Sequence, residues 1–298
     1  MNDGQEIFRQ IYKPYRVTKK NNVTIYETTS GNYVIKKKTR KDIKSLYNYL
    51  RSRSFTNYPR LIDNTRDDYN VFEYVEEVDT PNEQKSLDMI KIVANLHSKT
   101  TYFKEVSLAD YQEIYENIKD NIISLREYYT TLLITADETI YMAPSVQMFA
   151  ENSSKIFSSL DYCENVLDDW FDLIREKKKE RVAVIHNNLE LSHYIKNEED
   201  YLISWDNSKI DSPILDLINL YKKEYLNIDF SEVLKSYMEM YPLSNDEKTL
   251  LFVVLALPPK FTNKGIEIKK CQEIGTILDY IYKTEELIRP YYTEENKE

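Results

Sequence analysis

Residues 181–217 decide how this chain is read. They run Arg181-Val-Ala-Val-Ile-His186-Asn187-Asn188-Leu189, then Ser192-His193, then Tyr201-Leu-Ile-Ser204-Trp205-Asp206, and finally Asp211-Ser-Pro213-Ile-Leu-Asp216-Leu217. Each polar side chain here has a definite chemical capacity. The Asn188 amide has no basic pair at neutral pH and accepts no proton. Ser204 is neutral and a poor ligand for a hard ion such as magnesium, which favours carboxylate oxygens in octahedral geometry. Asp206 stands two residues on, so in a strand it shares a face with Ser204. Histidine is a common general base, which makes His193 a candidate base. His186 and His193 lie on a loop at no recognised metal-ligand spacing. Ser192 has no Gly-x-Ser-x-Gly elbow around it, which excludes a Ser–His–Asp hydrolase built with Asp206.

Outward from this stretch, the chain of 298 residues is long enough for two lobes with a substantial core. Hydrophobic residues at 42% and aromatics at 13% mark a globular protein rather than a disordered one. The longest apolar run, residues 250–257, falls far short of the roughly 20 residues a membrane helix needs, so no membrane is expected. No charged-then-apolar leader opens the chain, and a cytoplasmic setting is expected. The net charge of −10 disfavours nucleic acid as a partner. Basic runs lie at 36–41 and 177–181; the second, at the predicted C-terminal end of a helix, reads as solvated surface. Two cysteines, Cys163 and Cys271, make neither a zinc site nor a disulfide framework and are expected as reduced, buried thiols. Glycine is scarce, 4 in the whole chain. Phosphate-cradling loops use glycine to bring backbone N–H groups close, yet the turn between the first two predicted strands reads Lys19-Lys20-Asn21-Asn22.

Residues 15–20, 23–28 and 32–37 are rich in β-branched and aromatic side chains and predict three strands. A helix follows at about 41–53, then strands near 60–63 and 69–74. Alternation puts Val34 and Lys36 on one strand face. Pro81 opens a helix with a stripe of Leu87, Ile90, Ala94 and His97. Residues 107–180 read as a helical hairpin: Ser107-Leu-Ala-Asp110 is a capping box, and Leu108, Tyr111, Tyr115, Ile118, Ile122, Leu125, Tyr129 and Leu132 form a seam. Pro144 starts the partner helix, whose Ile156, Leu160, Cys163, Leu167, Trp170 and Ile174 match it, with 136–143 as the loop. Helices are expected near 212–225, 230–240, 244–257 and 266–288, followed by a polar tail from Thr293.

The stretch at 181–217 resembles the kinase-fold superfamily of aminoglycoside phosphotransferases and choline kinases. That family's run is His-Gly-Asp-Leu-x-x-x-Asn, then Ile-Asp-Phe/Trp, then Asp-x-Pro-x-x-Asp-Leu. Within the superfamily the chain is most similar to the spore-coat (CotS-like) branch. His186, Leu189, Trp205, Asp206, Asp211, Pro213, Asp216 and Leu217 fit the pattern, without a gap from Ile203 to Leu217. Asn188 stands where the family has its catalytic Asp, His193 where it has a metal-binding Asn, and Ser204 where it has the metal-binding Asp.

The resemblance implies an α+β, bilobal protein-kinase-like fold: a small β-rich N-lobe at 1–75, a larger helical C-lobe at 76–298, and a helical-hairpin insertion at about 107–180, all one compact unit. It implies that Lys36, in Tyr33-Val-Ile-Lys36, is the nucleotide-binding lysine. Asp42 falls where the family's pairing acid would be, and Phe72-Glu73-Tyr74 is the hinge between lobes, so Lys36, Asp42 and Glu73 mark a vestigial nucleotide cleft. Asn188 and His186 are then vestigial catalytic positions. Ser204 and His193 are vestigial metal positions, with Asp206 the one available substitute. Pro213, Asp216 and Leu217 are expected to cap and start the next helix, with Trp205 packed beneath it.

With scaffold positions kept and chemical ones changed, the chain reads as a catalytically degenerate, pseudokinase-like protein with a binding or scaffold role, a protein partner, and a spore-coat connection through its branch. If ATP binds, it does so without strong dependence on magnesium. The competing reading is an atypical phosphotransferase acting on a small hydroxyl or amine substrate in the interlobe cleft, with His193 or Asp206 recruited.

Overall fold

A computed structural model describes residues 3–20, 23–40, 42–63 and 68–295. The glycine-free turn at Asn21-Asn22, Lys41 at the expected helix start, and the last three residues of the tail lie outside the described residues. In chain order the elements are α1 (Asp3–Tyr12), β1 (Arg16–Lys20), β2 (Val23–Thr28), β3 (Gly31–Lys37), α2 (Ile43–Ser52), β4 (Leu61–Asp63), β5 (Tyr69–Glu73), α3 (Asn82–Thr100), β6 (Tyr102–Glu105), α4 (Leu108–Asp137), α5 (Pro144–Ile174), β7 (Lys179–Ile185), β8 (Tyr194–Ile195), β9 (Tyr201–Leu202), β10 (Lys209–Asp211), α6 (Ile214–Glu224), α7 (Phe230–Met240), α8 (Asn245–Ala256) and α9 (Glu267–Glu295). This is the predicted α+β order: a small sheet region first, then a larger, mainly helical one. No helix among the described residues is long and apolar enough to cross a membrane.

The chain divides into two compact units. The first comprises Met1–Thr101, Ala183–Asn219 and Lys235–Tyr241. Its sheet is antiparallel throughout, in the order β1-β2-β3-β5-β4. Alternation gives that sheet two different faces. One face carries Tyr26, Ile35 and Val71, buried with Phe8 of α1, and Tyr12, one helical turn on, packs on the same cluster. Phe8 and Tyr12 are thus the reason α1 forms: their pairing one turn apart has a partner only once the sheet exists. The other face carries Ile25, Val34, Lys36, Asn70 and Phe72.

The second unit comprises Tyr102–Val182, Leu220–Leu234 and Pro242–Glu298. Its hairpin of α4 and α5 begins with the predicted capping box, in which Ser107 and Asp110 bond each other's backbone N–H reciprocally. Tyr111, Ile122, Leu125 and Tyr129 are buried on α4, while Tyr115, Ile118 and Leu132 are half-buried and Leu108, in the first turn, is exposed; Ile156, Leu160, Cys163, Leu167, Trp170 and Ile174 are all buried on α5. Cys163 is sealed in that seam, where burial pushes its thiol up to about 12. Cys271 differs from the expectation in being only partly buried.

The basic run at 177–181 also differs. α5 ends at Ile174, and β7 begins at Lys179. Arg181 forks onto the Glu247 carboxylate at the start of α8, and Lys177 pairs with Asp246. Acids in the first turn of α8 also complement its dipole, so these cations belong to a tertiary network rather than to solvated surface. The polar tail is helical further than expected: α9 runs past Pro290 to Glu295.

Candidate functional site

A slot of about 190 Å³ lies against the inner face of the sheet in the first unit. Ile25, Val34 and Phe72 supply its apolar sheet wall. Ile195 of β8 and the segment 203–206 complete the lining. In the sheet register Val34 opposes Phe72 and Lys36 opposes Asn70, so two polar side chains sit together at one end of an otherwise apolar surface. Asn70 is 6% exposed, and its Oδ1 is buried without a hydrogen-bond partner.

Lys36 points into this slot, and its ammonium donates to the Asp206 carboxylate. The Thr39 hydroxyl donates to the other oxygen of the same carboxylate. Burial pushes the Asp206 carboxyl up, but the Lys36 and Thr39 bonds outweigh burial and hold it below the ordinary carboxylate range. Asp42 does not share in this. Arg40 takes both its oxygens, at 2.6 and 3.0 Å, and also donates to the Ser208 carbonyl. The ion pair on Lys36 thus comes from a residue 170 positions away rather than from the start of the next helix.

Ser204 and Asp206 are not on a strand, and alternation does not govern them. Ser204 is left-handed, with φ 66° and ψ 46°, and residues 205–207 form a single 3₁₀ turn. A non-glycine residue in that region is uncommon and is held there by its surroundings. Here Trp205 is the anchor. It is 2% exposed, its indole N–H donates to the Leu202 carbonyl at 2.7 Å, and its ring meets Tyr47, Phe55, Tyr58 and His186 edge-on. Trp205 therefore packs among the aromatics of and after α2. Glu73 closes the far edge of the slot, with one carboxylate oxygen accepting the Arg60 N–H at 2.7 Å.

The loop after β7 is shaped by Asp216. The sequence suggests a helix cap, but the carboxylate, buried inside α6, instead accepts the backbone N–H of His186 at 2.8 Å and of Asn187 at 2.6 Å. His97 Nε2 meets the same carboxylate at 3.2 Å, and its Nδ1 meets the Tyr237 hydroxyl at 2.7 Å. Asn187, where the resembled pattern has Gly, takes φ 56°, a conformation asparagine tolerates better than most residues. His186 bonds the Ile203 carbonyl through Nε2 at 2.8 Å, tying this loop to Ser204. The Asn188 carbonyl bonds His193 Nδ1 at 2.7 Å, and His193 Nε2 lies 3.3 Å from Glu190. Ser192 donates to Glu190 rather than to a histidine.

The structure thus brings Lys36, Ser204, Asp206 and Glu73 to one slot, and Asn188 and His193 to one loop joined to it through His186. It leaves Asp42 with Arg40. Sequence reasoning missed Thr39 and Asn70. Asn70 had a signal: an Asn flanked by Tyr69 and Val71 in a largely apolar strand, where a buried polar side chain needs a partner.

No protein-family model matches this chain, and no curated protein matches it in sequence. Solved structures do match. An aminoglycoside phosphotransferase from Alicyclobacillus acidocaldarius subsp. acidocaldarius superposes with a TM-score of 0.70 at 11% identity, over 96% of this chain and 93% of that one. An AMP-bound spectinomycin phosphotransferase gives 0.53 at 14% identity, over 97% and 92%. An ADP-bound aminoglycoside phosphotransferase gives 0.50 at 12% identity, over 96% and 99%. At these identities the likeness is one of fold: the chain has the kinase-like α+β fold of these phosphotransferases, with a small β-sheet N-terminal region and a larger helical C-terminal region.

Proposed function

We propose that this chain is a kinase-fold binding protein that has lost metal-dependent phosphoryl transfer. Phosphoryl transfer needs magnesium to neutralise developing charge and a positioned base for the incoming hydroxyl. The donors present fit magnesium poorly. Ser204 is neutral, and the oxygens of Asp206 are bonded to Lys36 and Thr39. Asn188, at the base position of the resembled pattern, takes no proton. The single observation that carries the reading is the Lys36–Asp206 ion pair, because it satisfies within the protein the lysine and the acid that a working site would turn towards nucleotide and metal.

What remains is a preformed apolar slot with a polar end, the usual form of a small-molecule site. A spectinomycin phosphotransferase of this fold binds AMP, which supports a purine-sized ring as the occupant of the slot here. A spore-coat setting, with a protein partner for the remaining surface, rests on the resemblance to the CotS-like branch.

The second reading is an atypical phosphotransferase with Asp206 as its metal carboxylate. It has one observation in its favour, the presence of an ionised acid at Lys36. Thermal unfolding separates the two. A ligand at 100 times its dissociation constant stabilises by about 2.7 kcal/mol. On our reading ATP with magnesium raises the Tm no more than ATP with a chelator. A clear magnesium-dependent rise overturns it in favour of the atypical enzyme.

A further inference from the structure

Lys36 is the only cation among the described residues that line the slot, whereas Asp206 and Glu73 both present carboxylates to it. Asp206 is the decisive one. It sits on the Lys36 ammonium, where an anionic group entering the slot would have to bind, and a second donor, Thr39, fixes it there. The nearby Arg40 offers no alternative, being committed to Asp42 and to the Ser208 carbonyl. An entering phosphate therefore meets a neutralised lysine and an adjacent fixed carboxylate, and like charges held this close in a partly buried site repel.

Size and polarity point the same way. At about 190 Å³ the slot is smaller than the roughly 300–1,000 Å³ typical of drug-sized sites. That space suits one flat ring system between apolar walls better than an extended nucleotide. Its polar end holds an unmet need: the buried Oδ1 of Asn70 accepts nothing from the protein, and an orphaned buried acceptor is costly until a donor reaches it. A ligand hydroxyl at that end, beside Lys36, would supply one.

We propose that the slot selects an uncharged, flat heteroaromatic ligand of the nucleoside class over its phosphorylated form, with Asp206 standing in at Lys36 for the absent phosphate and Asn70, beside it, accepting from a sugar hydroxyl. This rests on the reading above of the slot as a purine-sized site, and deepens it by assigning the ligand's charge.

The test is calorimetric titration of the full chain with adenosine and with ATP, in chelator, near neutral pH. Wild type binds adenosine more tightly than ATP, by about tenfold for one close like charge. Asp206→Asn improves ATP binding relative to adenosine by about tenfold. Asn70→Leu weakens adenosine without lowering the Tm, because it removes an orphaned acceptor. The proposal is overturned if wild type binds ATP as tightly as adenosine, if Asp206→Asn shifts both ligands together, or if neither probe binds. Should Asp206→Asn fail to fold, the wild-type ranking alone decides. Failure here is separable from failure of the inactive-kinase reading, which shows itself instead as a magnesium-dependent rise in Tm.

Discussion

Asp216 accepts the backbone N–H of Asn187 at 2.6 Å from inside a helix that begins 27 residues later in the chain, at Ile214. The same carboxylate takes the His186 N–H and faces His97. One fully buried acid therefore sets the conformation of the loop that carries Asn188. The adjacent left-handed Asn187 shows how tightly that loop is folded.

Breaking this clamp should unfold the protein more readily than losing an ordinary hydrogen bond. Asp216→Asn puts an amide N–H against a backbone N–H and leaves a buried donor unmet. We expect a loss of about 3 kcal/mol in chemical denaturation. A loss below about 1 kcal/mol would mean the clamp adds no more than one ordinary bond.

The second unit offers an independent test of packing. Trp170 is 2% exposed in the α4–α5 seam, with Tyr111 edge-on at 6.3 Å. Trp170→Ala should destabilise by about 3–5 kcal/mol. A near-neutral result would show that the seam is not part of the folded core.

The Lys36–Asp206 pair makes a prediction in pH. The Asp206 carboxyl is lowered in the folded state, so its contribution is complete above the unfolded carboxylate value and is lost as pH falls through the lower, folded one. Both side chains keep some exposure, 21% and 25%, so the contribution is discounted to about 1 kcal/mol. The stability difference between wild type and Asp206→Asn should hold from neutral pH down to about pH 4 and then shrink towards zero in stronger acid. A difference that grew on acidification would have the wrong sign for a carboxylate stabilised by Lys36.

Much of this architecture was legible because its signals are local. The β-branched alternation around Val23–Thr28 is a strand wherever it sits. Ser107 with Asp110, and Pro144, mark helix starts through bonds within one turn. The site was legible only as a set of positions, because its geometry is made by partners far apart in sequence. Nothing near Lys36 identifies Asp206 as its counter-ion. Nothing near Arg181 identifies Glu247, and the run 177–181, which leads into β7, reads locally as the end of a helix. Asp216 reads as a cap because acids at helix starts are common, and its bonds to His186 and Asn187 exist only once α6 has docked. The turn at Ser204 likewise depends on Trp205 being held among Tyr47, Phe55 and Tyr58.

The central claim, a kinase fold without phosphoryl transfer, is tested most directly by phosphate release from ATP with magnesium. Wild type, Lys36→Ala, Asn188→Asp, Ser204→Asp and the triple Asn188→Asp/Ser204→Asp/His193→Asn are measured side by side. A general base alone is worth about 10²–10⁴ in rate, and base and metal act as a unit, so single restorations should be strongly non-additive. The account predicts no release above blank from wild type, Lys36→Ala or either single restoration, and slow release from the triple. Release by wild type that disappears in Lys36→Ala would contradict it.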